Sequence, residues 1–346
     1  MLVYTTLFTL APKEPKDNKY IDMFYIWFSY LKRYAGLGPD DCVGVIVDED
    51  TLEYMNSNQT FGYISTGVPF TIELSIMPRP ANLTEGFAQR YNLEHFDTFT
   101  HHELNLHIDI DCLCIRNIQA LFNQVEGYAF YAMSEIGFMY HSDYCGHLLK
   151  EGILPEDFPG ISAGWYAWKH SESQREMFES VSKGCLYNET PFYTVDQPFY
   201  TYELIQRMLS KTLDICLLDK RTVAFNACMF DECLKDAYFV NFAGEPGVES
   251  SHYNKLFAFI CMDFSTSPVY SSATVPIKTL MLAGSAPAPA LAAAPAPALA
   301  AAEQEGLLPA LAAAAEQEEQ TEHGHPEGAS PAPLEEVNSR SSPPSP

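Results

Sequence analysis

The sequence predicts an α/β fold in three layers, with helices on both faces of a mixed, mainly parallel sheet. Three observations predict it. Apolar runs alternate with amphipathic stretches over residues 1–260, the pattern of strand–helix–strand units. One run, Cys42-Val43-Gly44-Val45-Ile46-Val47, is apolar throughout, as expected of a strand covered on both faces. Two runs stop at carboxylates, Asp48-Glu49-Asp50 and Asp109-Ile110-Asp111, and open α/β sheets collect ligands at the carboxyl edge of their strands.

Leu2-Val3-Tyr4-Thr5-Thr6 reads as the first strand, because the start lacks the basic residues and small-residue cleavage site of a signal peptide. Pro12 and Pro15 mark a loop. Residues 17–34 read as an amphipathic helix, with Asp17 or Asn18 as its cap. Cys42–Val47 is the second strand and Phe70–Ile76, stopped by Met77-Pro78, the third. Glu85–Tyr91 reads as helix. The strand Leu104–Asp111 follows, then a helix over Asn117–Phe122 and a strand over Tyr128–Met133. Ile161–Trp168 leads into a helix over Ser171–Lys183. Gln197–Lys211 reads as helix, and Asp214–Leu218 and Tyr238–Phe242 as the last strands. Short loops between the late strands predict antiparallel additions to the sheet.

Composition divides the chain. All 45 aromatics (22 Phe, 20 Tyr, 3 Trp) precede Pro276, so the folded part should end between about Asp263 and Lys278. The expected boundary is a domain over 1–265 and a low-complexity tail over 266–346. The tail repeats Ala-Pro-Ala-Pro-Ala-Leu-Ala-Ala-Ala from Ala286 and again from Ala294. With no aromatic from Pro276 onward it has little to bury against its ordering entropy, which predicts disorder.

Charge excludes two functions. The net charge is −25, of which −7 falls from Pro276 onward and −18 before it. A body this acidic argues against sequence-independent nucleic-acid binding and against docking on an anionic membrane. The apolar helix around Tyr20–Leu31 is too short to span a bilayer, so no transmembrane segment is expected. Nine cysteines without a C-x-x-C pair suit a reducing compartment, and the expected location is cytoplasmic. His141, Cys145 and His147 have a loosely metal-like spacing but lack a fourth ligand for zinc.

Five features follow one another. Thr5-Thr6 ends strand one and Asp48 ends the next strand. Glu85-Gly86 with Arg90 lies about twenty residues before Asp109-Ile110-Asp111. Downstream come Ser162-Ala163-Gly164, Asp196-Gln197 and Asn241-Phe242-Ala243-Gly244. Two carboxylates one residue apart suit a hard divalent cation, Mn²⁺ or Mg²⁺, that shares its oxygens with a substrate phosphate. Arg90 suits a bidentate phosphate contact, and Gly244 a close backbone approach to phosphate oxygens. Asp196 also fits a simple helix cap before Gln197-Pro198.

In this order the motifs resemble a nucleotide-sugar glycosyltransferase of the GT-A fold, of the glycogenin/galactinol-synthase type and its relatives in large DNA viruses. The resemblance covers roughly residues 1–260. It implies a metal-dependent transfer of a sugar from a nucleoside-diphosphate donor (UDP- or GDP-type) to a glycan or other hydroxyl acceptor. Asp109 and Asp111 would hold the metal with Asn241 or His252. Thr5, Thr6, Asp48, Arg90, Ser162, Gly164 and Gly244 would border the donor, and Asp196 and Gln197 would face the anomeric carbon. The chain departs from the family pattern at Asn241, where the family has His, at Gly247, where it has Lys, and at Ser162-Ala163-Gly164, where it has Asn-Ser-Gly. Two other readings stand beside it: a phosphohydrolase of the haloacid-dehalogenase type, with Asp109 as nucleophile, and a sugar-nucleotide scaffold without catalysis.

Overall fold

The computed structural model describes residues 1–261 apart from positions 100, 142, 146–147, 151, 188–193, 220, 226–233, 235 and 245–247. The chain divides into two units, Met1–Met281 and Leu282–Pro346, and every described residue belongs to the first. The expected tail over 266–346, His147 and Gly247 lie outside the described residues.

The elements run β1 (Leu2–Leu7), α1 (Lys19–Tyr34), β2 (Cys42–Asp48), α2 (Glu49–Ser57), α3 (Thr60–Ser65), β3 (Thr71–Met77), α4 (Leu83–Ala88), α5 (Leu93–Thr98), β4 (Asn105–Ile108), β5 (Cys112–Cys114), α6 (Ile118–Phe122), β6 (Phe130–Phe138), β7 (Pro159–Trp168), α7 (Glu172–Tyr187), α8 (Gln197–Ser210), β8 (Ile215–Leu218), β9 (Val223–Phe225), β10 (Phe239–Asn241) and α9 (Glu249–Cys261). Seven strands form one sheet in the order β3-β2-β1-β4-β7-β6-β8. Only β7 runs against its neighbours, antiparallel to both β4 and β6. The mixed, mainly parallel sheet expected from the sequence is therefore present. A second, small sheet has the order β5-β10-β9.

Burial explains the layers. β2 is buried along its whole length. On β1 successive side chains face opposite layers: Val3 packs with Phe24, Trp27 and Phe28 of α1, while Leu2 and Tyr4 pack with Phe178 of α7 and Tyr200 of α8. In α1 the buried positions Ile21, Phe24, Phe28 and Leu31 repeat at helical spacing. Of the two candidate caps, Asn18 is the one used: its side chain accepts from the Tyr20 amide. Trp165, Tyr166 and Trp168 are fully buried core. The six described cysteines assigned as free (Cys42, Cys112, Cys114, Cys145, Cys185 and Cys216) are all buried. Among the described residues no helix is long and apolar enough to cross a membrane.

The chain departs from the sequence reading at the acidic motif. β4 ends at Ile108, short of the expected strand end at Asp111. Asp109-Ile110-Asp111 forms a turn closed by the Cys112 amide on the Asp109 carbonyl, at 2.9 Å. The turn passes the chain from the large sheet to the small one, where Cys112 pairs with Asn241. It thereby sets two carboxylates at the carboxyl edge of β4 and beside β10.

Candidate active site

A cavity of about 370 Å³ opens at this edge. Its lining includes the apolar Leu7, Phe8, Leu83 and Phe87 and the acidic Asp109, Asp111, Glu135, Asp143 and Asp196. The lining brings together Thr6, Arg90, Asp109, Asp111, Ser162, Gly164, Asp196, Gln197, Asn241, Gly244 and His252. Thr5 and Asp48 are not among the lining residues.

The physical reason for Asp48 is its bonding. Its Oδ1 accepts from the Thr51 amide at 3.0 Å and its Oδ2 from the Thr9 amide at 2.9 Å. It is fully buried and serves as the N-cap of α2. Both oxygens hold the protein's own backbone rather than facing the cavity. Thr5, on the opposite face of β1 from Thr6, is fully buried too.

Arg90 lines the cavity with its guanidinium engaged by the protein's own groups. Its side chain is buried. It donates to Asp109 Oδ1 at 2.9 Å, to the Ala163 carbonyl at 3.1 Å and to Asp196 Oδ1 at 3.2 Å. Its Nε lies 3.2 Å from Asp196 Oδ2. The guanidinium therefore bridges two carboxylates that come from distant parts of the chain. The face of the guanidinium lies 4.6 Å from the Phe87 ring centroid, which roofs it with apolar surface.

Asp196 does not cap α8 with its side chain. Its Oδ2 instead accepts from the Tyr91 hydroxyl at 2.6 Å. The residue before it, Val195, has φ of 55°, a left-handed conformation costly for a β-branched side chain. Gln197 ties the floor of the site: its Oε1 accepts from the Ala163 amide at 3.1 Å and its Nε2 donates to the Asp143 carbonyl at 2.8 Å.

Ser162-Ala163-Gly164 forms an irregularity in β7. Pairing with β6 jumps between Ala132, opposite Tyr166, and Met133, opposite Ser162. Such a bulge re-aims backbone groups, and here the Ala163 carbonyl meets Arg90. At Gly164 a Cβ would lie 2.9 Å from Asp109 Oδ2. A side chain at this position would have to displace the Asp109 carboxylate.

His252 of α9 reaches the acidic turn through Asp111, with its Nδ1 2.7 Å from Asp111 Oδ2. Asn241 is 6% exposed, and its Oδ1 is buried with no hydrogen-bond partner. The Phe242 amide donates to the Asp111 carbonyl at 2.8 Å, fixing Asn241 beside the turn.

Burial pushes the Asp109 carboxyl up to about 7, with Arg90 opposing the rise and Asp111 and Asp196 adding to it. Burial also raises Asp196, again against Arg90. His107 on β4, two residues before Asp109, is held well below its usual range by burial and by Arg90, so it stays neutral beside Asp109. Glu135 is raised by burial, with the hydroxyls of Ser162 and Tyr144 opposing.

Among the described residues no group of three His, Cys, Asp or Glu side chains is arranged to hold a metal ion. The oxygen donors at the turn nevertheless fit a hard divalent cation. The orphaned Asn241 oxygen, the crowding of Asp109 by two other carboxylates and the oxygen-rich donor set all favour a positive charge there.

The chain matches no protein-family model and no curated protein sequence. Solved structures with a similar course include mouse xyloside xylosyltransferase 1 in its apo form, at 14% identity over 65% of this chain and 86% of that one, TM-score 0.43. A glycosyltransferase involved in glycosylation of the major capsid of PBCV-1 aligns at 15% identity over 74% and 98%, TM-score 0.41. The galactosyltransferase LgtC, in complex with donor and acceptor sugar analogs, aligns at 12% identity over 75% and 96%, TM-score 0.44. At these identities and scores the likeness to the three transferases is one of chain course and carries no argument about this chain.

Sequence reasoning missed Glu135, Asp143, Tyr144 and the aromatics Phe8 and Phe87, all on the cavity wall. Glu135 carried a usable signal. It follows the apolar run Phe130-Tyr131-Ala132-Met133, the same acid-after-strand pattern that marked Asp109.

Proposed function

We propose that the chain is a metal-dependent glycosyltransferase of the GT-A type, moving a sugar from a nucleoside-diphosphate donor of the UDP or GDP kind to a hydroxyl acceptor. The observation that carries this reading is the gathering of Asp109, Asp111, Asp196 and the orphaned oxygen of Asn241 on one cavity at the carboxyl edge of the sheet. A diphosphate brought into this acidic site needs a cation. Asp109, Asp111 and Asn241 would hold Mn²⁺ or Mg²⁺, with His252 orienting Asp111. When bound, the ion would stabilise charge on the departing diphosphate.

The residues of the chain then divide the work. Arg90 fixes Asp109 and Asp196 relative to one another and acts as a positioning residue. Both oxygens of Asp196 already accept hydrogen bonds or ion-pair contacts. That favours stabilising positive charge at the anomeric carbon over abstracting a proton from the acceptor. Gln197 holds the β7 bulge against the Asp143 loop, and Phe8 and Phe87 offer apolar surface suited to a nucleoside base. Among the described residues the cavity lining has no lysine, which the phosphohydrolase reading would require.

The test is thermal stability of the full chain with UDP and GDP, with Mn²⁺ and with EDTA. A ligand bound to the native state alone stabilises by mass action, by about 2.7 kcal/mol at a hundredfold excess over Kd. The reading expects a rise in melting temperature with one nucleotide in Mn²⁺ and none in EDTA. A folded sample that shifts with neither nucleotide removes it.

A further inference from the structure

The acidic residues of the cavity lining form a connected string of carboxylates. Asp109 feels both Asp196 and Asp111, and Glu135 feels both Asp111 and Asp143. Among the described residues the permanent cation at this string is Arg90, which spans Asp109 and Asp196; His252 meets Asp111 through a hydrogen bond. At the other end Glu135 sits on β6, parallel to β4 and on the far side of β7 from it. Its partners are hydroxyls: Tyr144 donates to its Oε2 at 2.8 Å, and Ser162 also bonds to it. No cation meets Glu135 among the described residues.

Tyr144 is locked in that role. A Cβ at Gly137 or at Gly160 would come within 2.5 Å of its ring, so both glycines are needed for the ring to pass between the strands. The ring is buried. Asp143, next in the chain, stands at the rim with its carboxylate 3.3 Å from the exposed His141 imidazole.

A cation at the Asp109–Asp111 turn would be matched by the donor's diphosphate. Among the described residues no cation then offsets a further negative charge at Glu135. Carboxylates without a cation accept hydrogen bonds well from sugar hydroxyls and oppose another carboxylate. We propose that Glu135, held by Tyr144 and backed by Asp143, is a specificity-determining residue that accepts hydroxyls of an uncharged donor sugar and rejects sugars bearing a carboxylate. The inference rests on the glycosyltransferase reading and names its donor class: neutral hexoses or pentoses, with uronic acids excluded.

The test uses the full chain with Mn²⁺ and measures nucleoside-diphosphate release by hydrolysis. In that reaction water adds to the anomeric carbon, the bond to the diphosphate oxygen breaks, and the free sugar and a proton leave with the nucleotide. UDP-glucose, UDP-galactose, UDP-xylose and GDP-mannose are ranked first. The best of them is then compared with the uronate donor of the same base. The expected kcat/KM for the uronate is at least about tenfold lower, expressed mainly in KM. Glu135→Gln should narrow that ratio by raising uronate use. Asp143→Asn, at the rim, should narrow it less and serves where the first variant does not fold. Equal use of neutral and uronate donors by the unaltered chain overturns the proposal and leaves the transferase reading intact. A preference that neither substitution changes overturns the assignment to this wall. No release from any donor, with no metal-dependent nucleotide stabilisation, removes the transferase reading and this inference with it.

Discussion

Arg90 holds a buried position between two buried or half-buried carboxylates. Removing it leaves two negative charges without their partner, the kind of change that costs about 3–5 kcal/mol. Arg90→Met should therefore lower stability by that order in urea denaturation and abolish donor turnover. Arg90→Lys keeps the charge but lacks the fork that reaches both acids, so it should recover stability in part and turnover hardly at all. Recovery of full turnover with Lys would show that charge rather than geometry sets the role. Gly164→Ala tests the same assembly from the other strand. Its methyl would press on Asp109 Oδ2, so nucleotide-dependent stabilisation in Mn²⁺ should drop while the apo melting temperature changes little. The sequence marked Asp109 and Asp111 as acids at the end of an apolar run and Asp196 through the family resemblance, and all three line the cavity. Asp48 gave the same signal and points elsewhere, because an acid at a strand end can equally cap the next helix, as the Thr51 amide shows. Residue type alone does not carry that direction.

At the scale of elements, Asp48 and His95 each tie neighbouring segments. Asp48 caps α2 and also holds the Thr9 amide. Asp48→Ala should cost about 1–2 kcal/mol, in the range of strong N-caps, with KM for the donor unchanged. A raised KM at unchanged stability would return Asp48 to the donor site. His95 on α5 bonds Ser75 of β3 at 2.8 Å and Gln89, just after α4, at 2.9 Å. Burial lowers its pKa to about 4. The unfolded chain therefore binds a proton at this histidine, near pH 6.5, before the folded one does. The stability that neutral His95 contributes is full above about pH 6.5 and is lost as the pH falls towards 4. His95→Gln should flatten the fall of melting temperature over that window. An unchanged slope would place the proton uptake on other histidines. The long elements were read correctly from period and cap, α1 and β2 above all. The helices α2, α3 and α5 were not, since six to nine residues span too few turns for a clear apolar stripe. β9, at three residues, owes its conformation to pairing with β10, which no local pattern announces.

For the molecule as a whole, composition separates an aromatic-rich body from a segment with no aromatic after Tyr270. The two hydrophobic clusters draw on residues from Leu2 to Phe259. In chain order the last strand of the large sheet is β8 and that of the small sheet β10, which ends at Asn241. Every aromatic precedes Pro276, so the segment from 266 onward brings little area to bury against its ordering entropy. It also carries −7 of the net −25, which leaves the acidic character of the body unaltered on removal. Truncation after Thr266 should therefore keep the melting temperature within about 2 °C, less than the shift about 1 kcal/mol produces in a domain of this size. The nucleotide-dependent shift in Mn²⁺ should survive as well. A fall well beyond that range would mean that the body depends on residues after 266 for its stability. Loss of the nucleotide shift alone, at unchanged stability, would instead assign the tail a part in holding the donor.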